Sequence, residues 1–399
     1  MESKETPLKN VKVLELGTLI AGPFASKILA EFGAEVIKVE SPEKGDPLRN
    51  WRILHQDTSL WWYVQSRNKK SLTLNLKSKE GQEIIKKLVR DIDILIENFR
   101  PGTLEKWGIG WEDLKKINPH LIMVRVSGYG QSGPYKDKPG FGSIGESMGG
   151  LRYLTGYPDR APVRVGISLG DSLAALYGAI GALMAIYYRD VNNGTGQFID
   201  VALYESVFSV MEGLLPEYNF SNFIRERTGS SLAGIAPSNT YKCSDGKYVI
   251  IAGNGDSIFN RLMKAINEEA AANDVRYADN QGRVKHSKEI DKLIENWTIQ
   301  HTLDQVLEVL DEANVPCGKI YSVEDIVDDP HYIERDMIIE KEMKDGNNIK
   351  VPGIVPKLSE TPGIINSLGP ELGEHNAEIL EKLGFDETEQ MVLKENGIV

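Results

Sequence analysis

Asp171 stands alone at the head of the least polar stretch of a 399-residue chain. The run from Ser172 to Tyr188 carries no formal charge. It is built mainly of Leu, Ala, Ile and Met with two glycines, a composition that predicts a buried core helix. A carboxylate aimed into such surroundings is poorly solvated, and this is one way a weak base becomes a usable nucleophile. The competing reading is that Asp171 only caps the helix, because Asp is among the side chains best suited to the free N–H groups of a first turn. Position alone does not separate the two readings.

The elements that must carry such a residue alternate. Val11–Leu16 reads as a buried strand, Gly17–Pro23 turns into a helix through about Phe32, and Glu35–Glu40 is the next strand. The pattern recurs in Leu72–Leu76, a charged helix from Glu80 to Asp91, and Ile92–Ile96, with a further strand at Leu121–Val126 and a change of character after Gln197–Val201. This predicts an α/β fold: a large Rossmann-like open domain with a mostly parallel sheet, and a smaller α+β domain. The expected division is a large domain over 1–206, a linker over 207–235, a small domain over 236–330, and a return segment over 331–399 that completes the large domain. In such sheets ligands bind beyond the carboxyl ends of the strands. Asn98-Phe99-Arg100-Pro101-Gly102 follows the strand ending at Ile96 and so places an arginine and a flexible backbone at that edge.

Composition narrows the chemistry. The 46 basic against 58 acidic residues give a formal net charge of −12, which speaks against a general nucleic-acid binder. Two cysteines without a CxxC or Cys/His neighbourhood read as reduced thiols, with the cytoplasm as the expected compartment. The polar start Met1–Glu5 shows no signal peptide, and the apolar run ending at Tyr188 is slightly short for a membrane span. The six histidines are scattered and never spaced for joint metal ligation. Gly128-Tyr129-Gly130-Gln131-Ser132-Gly133 matches a dinucleotide fingerprint, but Pro134 and Pro139 stand where the phosphate-binding helix must begin.

Several segments taken together resemble the class III CoA-transferases, the family of formyl-CoA:oxalate and carnitine CoA-transferases. They are Leu14-Glu15-Leu16, Ala21-Gly22-Pro23, Gly33–Glu40, Gly45-Asp46-Pro47-Leu48-Arg49, Glu97–Gly102, Ser127–Tyr135 and the Gly170-Asp171 step. Gly194-Thr195-Gly196-Gln197, Ala236-Pro237, Asp245-Gly246 and Val315–Gly318 continue the series in order. The resemblance implies that Asp171 is the catalytic nucleophile, passing CoA through aspartyl anhydride and aspartyl-CoA thioester intermediates. It implies no permanently bound cofactor, with coenzyme A entering as an acyl-CoA substrate. It also implies an interlocked, ring-like homodimer without nucleic-acid or membrane partners.

For CoA, the resemblance carries over at Ile20 and Ala21, at Leu74, Asn75 and Lys77, at Asn98, Phe99 and Arg100, and at Lys106. Lys106 stands where an arginine is common, and Ser41 where some members have one. Gly253-Asn254-Gly255 resembles a glycine loop that covers the intermediate in some members, though it is less glycine-rich. Gly142–Tyr153 resembles the branch using succinyl-CoA and other dicarboxylates, with Arg152, Arg160 and Arg164 as candidates for a distal carboxylate. The alternatives are an α-methylacyl-CoA racemase and a non-catalytic CoA-binding dimer. Phe141 occupies the position where those racemases resemble one another in carrying a histidine, and a phenylalanine moves no proton.

Overall fold

In the computed structural model, residues 5–399 are described. Their contacts divide the chain into two compact units: 5–151 with 165–212 and 336–399, and 152–164 with 213–335.

The first unit is built on six parallel strands: β1 (Lys12–Glu15), β2 (Glu35–Glu40), β3 (Lys69–Thr73), β4 (Ile94–Glu97), β5 (Ile122–Ser127) and β6 (Phe198–Ala202). Their spatial order is β3-β2-β1-β4-β5-β6, with every neighbouring pair parallel. Successive side chains of a strand face opposite ways, so the near-continuous apolar strands feed two separate cores. Leu14, Leu95 and Met123 join Ile84, Ile85 and Leu88 of α2 (Lys79–Val89) on one face. Val13, Ile94, Ile96 and Val124 face the other way, onto Ala25 and Leu29 of α1 (Ala21–Glu31). The returning segment seals the edge strand β3: Asn376 Oδ1 accepts from Thr73 N at 2.9 Å, and His375 N donates to Ser71 O at 3.0 Å.

One strand starts three residues before its expected position. The sequence suggests Leu72–Leu76, but the ladder runs Lys69–Thr73 because Lys69 is buried rather than solvated. Lys69 Nζ lies 2.8 Å from Glu15 Oε2, Lys38 Nζ lies 2.6 Å from Glu15 Oε1, and Lys38 also pairs with Asp46 at 2.8 Å. All four are shielded from water. Burial would push the Glu15 carboxyl up, but the two lysines outweigh it and hold it down at about 2.

A second correction concerns the apolar helix. It forms as α4 (Leu169–Val191), after the short α3 (Gly142–Met148), and it is not a wholly buried core helix. Its buried residues are the small ones, Gly170, Ala174, Ala175, Gly178, Ala179, Ala182 and Ala185. They let the helix lie close to the sheet: a methyl group at Gly178 would sit 3.2 Å from Val124 and 3.8 Å from Ala25. The bulky residues point away, with Met184 67% and Tyr187 61% exposed. At 23 residues the helix is long and apolar enough to cross a membrane by length and composition, yet its small-residue face is already occupied by α1 and β5.

The second unit has a three-stranded antiparallel sheet of β7 (Ser238–Lys242), β8 (Tyr248–Ala252) and β9 (Cys317–Lys319) in the order β9-β8-β7. Helices Asp256–Ala265, Ser287–Thr298 and Leu303–Glu312 cover it. The stretch 207–235 is not a plain linker. It holds the end of α5 (Leu203–Phe208) and a helix at Leu214–Ser221, and the second unit takes up 213–235 together with 152–164. The Gly253-Asn254-Gly255 turn is anchored: the buried Arg283 donates to Asn254 O at 2.7 Å and to Ala236 O at 3.0 Å.

Replacing Glu15 by Gln strips the shared partner from two buried lysines and is expected to cost about 3–5 kcal/mol at neutral pH. Because the folded-state carboxyl lies at about 2, below its ordinary 4.5, the stabilisation is complete above the ordinary value and fades as pH falls toward the lower one. Urea unfolding of both proteins across that range should show the gap closing as the solution is acidified. A gap independent of pH would show that Glu15 ionisation is not its source.

Candidate active site

A helix that links two parallel strands starts at their carboxyl edge, so α4, joining β5 to β6, brings its first turn to that edge. Asp171 lies in this first turn and is half-buried. Its carboxylate is seated against Gly142, the first residue of α3: a Cβ built on Gly142 would fall 2.0 Å from Asp171 Oδ2 and 2.6 Å from its Cγ. The next glycine in the seat is Gly170, whose own Cβ would meet Gly142 O at 3.0 Å and Glu146 Cγ at 3.2 Å. Glu146 is fully buried and takes Gly170 N at 3.4 Å. The carboxylate therefore stands at the positive end of its own 23-residue helix, where backbone dipoles favour an anion.

The other sequence-predicted residues fall on the same edge. The turn Gly17–Ile20 follows β1, and Ala21 opens α1. Ile20, Ala21 and Leu74 are buried. Asn98, just past β4, spends its amide on this turn: Oδ1 accepts from Thr18 N at 2.8 Å and Nδ2 donates to Thr18 O at 2.9 Å. Phe99 packs edge-on against Trp107 at 5.5 Å, next to the exposed Lys106 that ends the helix Thr103–Lys106. Arg100 is exposed and donates to Asp137 O at 2.7 Å. Past β3, Asn75 Oδ1 takes Lys77 N at 3.1 Å and Lys77 projects into solvent. Leu74 shares one apolar cluster with Phe99 and Trp107, which links these two stretches across the sheet. Arg152, Arg160 and Arg164 fall in the second unit, where the Arg160 guanidinium lies 5.7 Å from the Tyr157 ring centre.

Sequence reasoning missed the carboxylates that hold these loops. Glu97 Oε2 accepts from Phe99 N at 2.8 Å while Oε1 takes Arg125 Nε at 2.8 Å. Burial pushes Glu97 up to about 7 against the pull of Arg125. Asp200 accepts from Gln131 N through both oxygens, at 3.0 and 2.9 Å, fixing the loop that only looked like a dinucleotide fingerprint. Asp46 was visible as part of a Gly-Asp-Pro step, but nothing local revealed what it holds. Among the described residues, no group of three or more His, Cys, Asp or Glu has a metal-holding arrangement.

A doubly wound parallel sheet with a carboxylate seated at its carboxyl edge defines the class as an open α/β protein. The model of CoA-transferase family III matches residues 8–376; the chain belongs to this family and is a CoA-transferase. It is 50% identical over 395 residues to the succinyl-CoA–D-citramalate CoA-transferase of Chloroflexus aurantiacus, with 98% of each chain covered. It is 34% identical to the succinate–glutarate CoA-transferase of Agrobacterium fabrum, covering 96% of this chain and 97% of that one. The crystal structure of a CAIB/BAIF family protein from Brucella suis matches with a TM-score of 0.84 at 35% identity, over 95% of this chain and 100% of the other.

The Gly142 seat gives a direct test. Gly142 needs no left-handed backbone, and what a new methyl group meets is the far end of the Asp171 side chain, which can swing away. Gly142→Ala is therefore expected to cost less than about 1 kcal/mol of stability, as conformationally compatible glycine replacements do. With Asp171 read as the nucleophile, its displacement should lower kcat by about a hundredfold or more. Thermal unfolding and initial rates on the same samples separate the two effects. Unchanged turnover would show that the seat does not position the carboxylate.

Proposed function

We propose that the protein transfers CoA from succinyl-CoA, or a closely similar dicarboxylic acyl-CoA, to a carboxylic acid, with Asp171 as the covalent carrier. The observation that carries this reading is the Asp171 carboxylate held against Gly142 at the carboxyl edge of the sheet. The donor class is supported by the two relatives, whose names specify succinyl-CoA with D-citramalate and succinate with glutarate.

Each step exchanges one anion for another. An Asp171 oxygen attacks the thioester carbonyl, the C–S bond breaks, and the pair of electrons leaves on the CoA thiolate, giving a mixed anhydride. The thiolate attacks the aspartyl carbonyl of that anhydride, and the C–O bond to the donor breaks to release its carboxylate. The acceptor carboxylate then attacks the aspartyl-CoA thioester, and the expelled thiolate attacks the acceptor's acyl carbon, restoring the Asp171 carboxylate. No proton is gained or lost, so the cycle needs a nucleophile, anion-stabilising donors and exclusion of water, but no acid–base pair. Phe141, 70% exposed beside Gly142, fits this proton-free chemistry and not racemisation.

Water exclusion bears on assembly. We read the outward face of α4, with Leu176, Ile180, Leu183, Met184, Tyr187 and Val191 all exposed, as the contact with a second copy of the chain. Its continuity with Asp171 on the same helix would bring the partner close to the reacting centre.

Asp171→Asn and Asp171→Ala are expected to fold, to bind CoA and to lose transfer by more than about a thousandfold. Mass spectrometry of the native protein given succinyl-CoA alone should detect CoA attached to the peptide containing Asp171. An Asn variant with near-normal turnover would support a capping role only and sink the catalytic assignment. Leu183→Asp places a charge on the proposed contact and should shift the protein from dimer to monomer in light scattering; a wild-type monomer, or a variant that stays dimeric, would remove α4 from the interface.

A further inference from the structure

The turn that follows β1 is held almost entirely by side chains from distant parts of the chain. Lys38 Nζ donates to Gly17 O at 2.9 Å, Asn98 takes both polar groups of Thr18, and Gln65 Nε2 donates to Ile20 O at 3.1 Å. Leu19 is the exceptional member. Its φ is +64°, in the left-handed region that a leucine avoids, and its N–H is shared by both oxygens of Asp46 at 3.1 Å each. Asp46 is itself immobilised. It is 1% exposed, pairs with Lys38 at 2.8 Å, accepts from Leu48 N at 2.9 Å, and gives its own N–H to Glu40 Oε2 at 3.0 Å.

A strained backbone persists only where its surroundings over-determine it, and such strain gathers at ligand-binding turns. We infer that Asp46 is a positioning residue for acyl-CoA: it holds Leu19 left-handed so that the backbone of the Ile20-Ala21 step is presented to the coenzyme. The inference rests on the proposed CoA transfer and on the family resemblance, which implies CoA contacts at Ile20 and Ala21. Asp46 touches no reacting atom, so its influence belongs in the affinity for the ester rather than in the chemical step. Asparagine cannot replace it, because either orientation of the amide sets an NH2 donor against Leu19 N–H and against Lys38 or Leu48 N–H.

The test uses the full-length protein with succinyl-CoA and a saturating acceptor acid. Asp46→Asn should raise the KM for the ester by about tenfold or more, with kcat falling less than about threefold, the scale set by the ordinary penalty of a left-handed residue. Leu19→Val leaves the ion pairs intact but makes the left-handed backbone costlier for a β-branched residue. It should reproduce the KM rise, and it decides the matter by itself if Asp46→Asn does not fold. Adding Leu19→Gly to Asp46→Asn should recover most of the lost affinity, because glycine adopts this conformation freely. Calorimetry of wild type with CoA comes first: no binding would overturn the coenzyme reading and this inference together. Binding by wild type, with ester KM within about twofold in both Asp46→Asn and Leu19→Val, would overturn the inference alone. A fall in thermal stability with no change in KM would do the same, reducing the network to a structural role.

Discussion

A parallel strand ends in a loop whose N–H groups have lost their ladder partners, and in this protein carboxylates take them up, two of them buried (Asp46 and Glu97) and one exposed (Asp200). Asp46 holds Leu19 after β1, Glu97 holds Phe99 after β4, and Asp200 holds Gln131 after β5. Behind Asp46, Lys38 bridges to Glu15, which also holds Lys69, and Arg125 pairs with Glu97, so the buried carboxylates are themselves compensated. Without this arrangement the carboxyl edge would be a row of mobile turns. With it, the edge presents a fixed backbone to an incoming ester, and positions are set before binding rather than during it.

The same edge receives Asp171 because α4 can come close. Its alanines and glycines seat it on β5 and α1, and that seating determines where its first turn falls. The large apolar residues are thereby turned outward. One feature of composition, small residues on one stripe and bulky ones on the other, both places Asp171 and leaves an apolar face turned outward. A charged helix could do the first but would not extend an apolar surface toward that carboxylate.

The proposed chemistry in turn accounts for a sparse site. Swapping anions between carbonyl centres asks for no proton shuttle, so a carboxylate, a close-packed glycine floor and helix dipoles suffice as its polar apparatus. Gly142 has to lack a side chain for the same reason that Phe141 need not be a histidine: the carboxylate occupies the space, and no proton has to be delivered there.

Much of this was determined by the sequence. Apolar strands alternating with amphipathic helices define a doubly wound parallel sheet, and Glu35–Glu40 forms as its pattern requires. The motif series from Leu14 to Gly318 is enough to identify the family, and Asp171 is conspicuous because nothing charged follows it until Arg189. Lys69 misled the placement of its strand because a lysine is ordinarily solvated, and only Glu15, fifty-four positions earlier, explains its burial. Tertiary structure alone decided which face of α4 is covered, that Asn98 spends its amide on Thr18, that Asp46 governs the conformation of Leu19, and that Gly142 is the floor beneath Asp171. Those contacts join residues far apart in the chain. Local patterns report periodicity and propensity, whereas such pairings exist only once the sheet has ordered its strands.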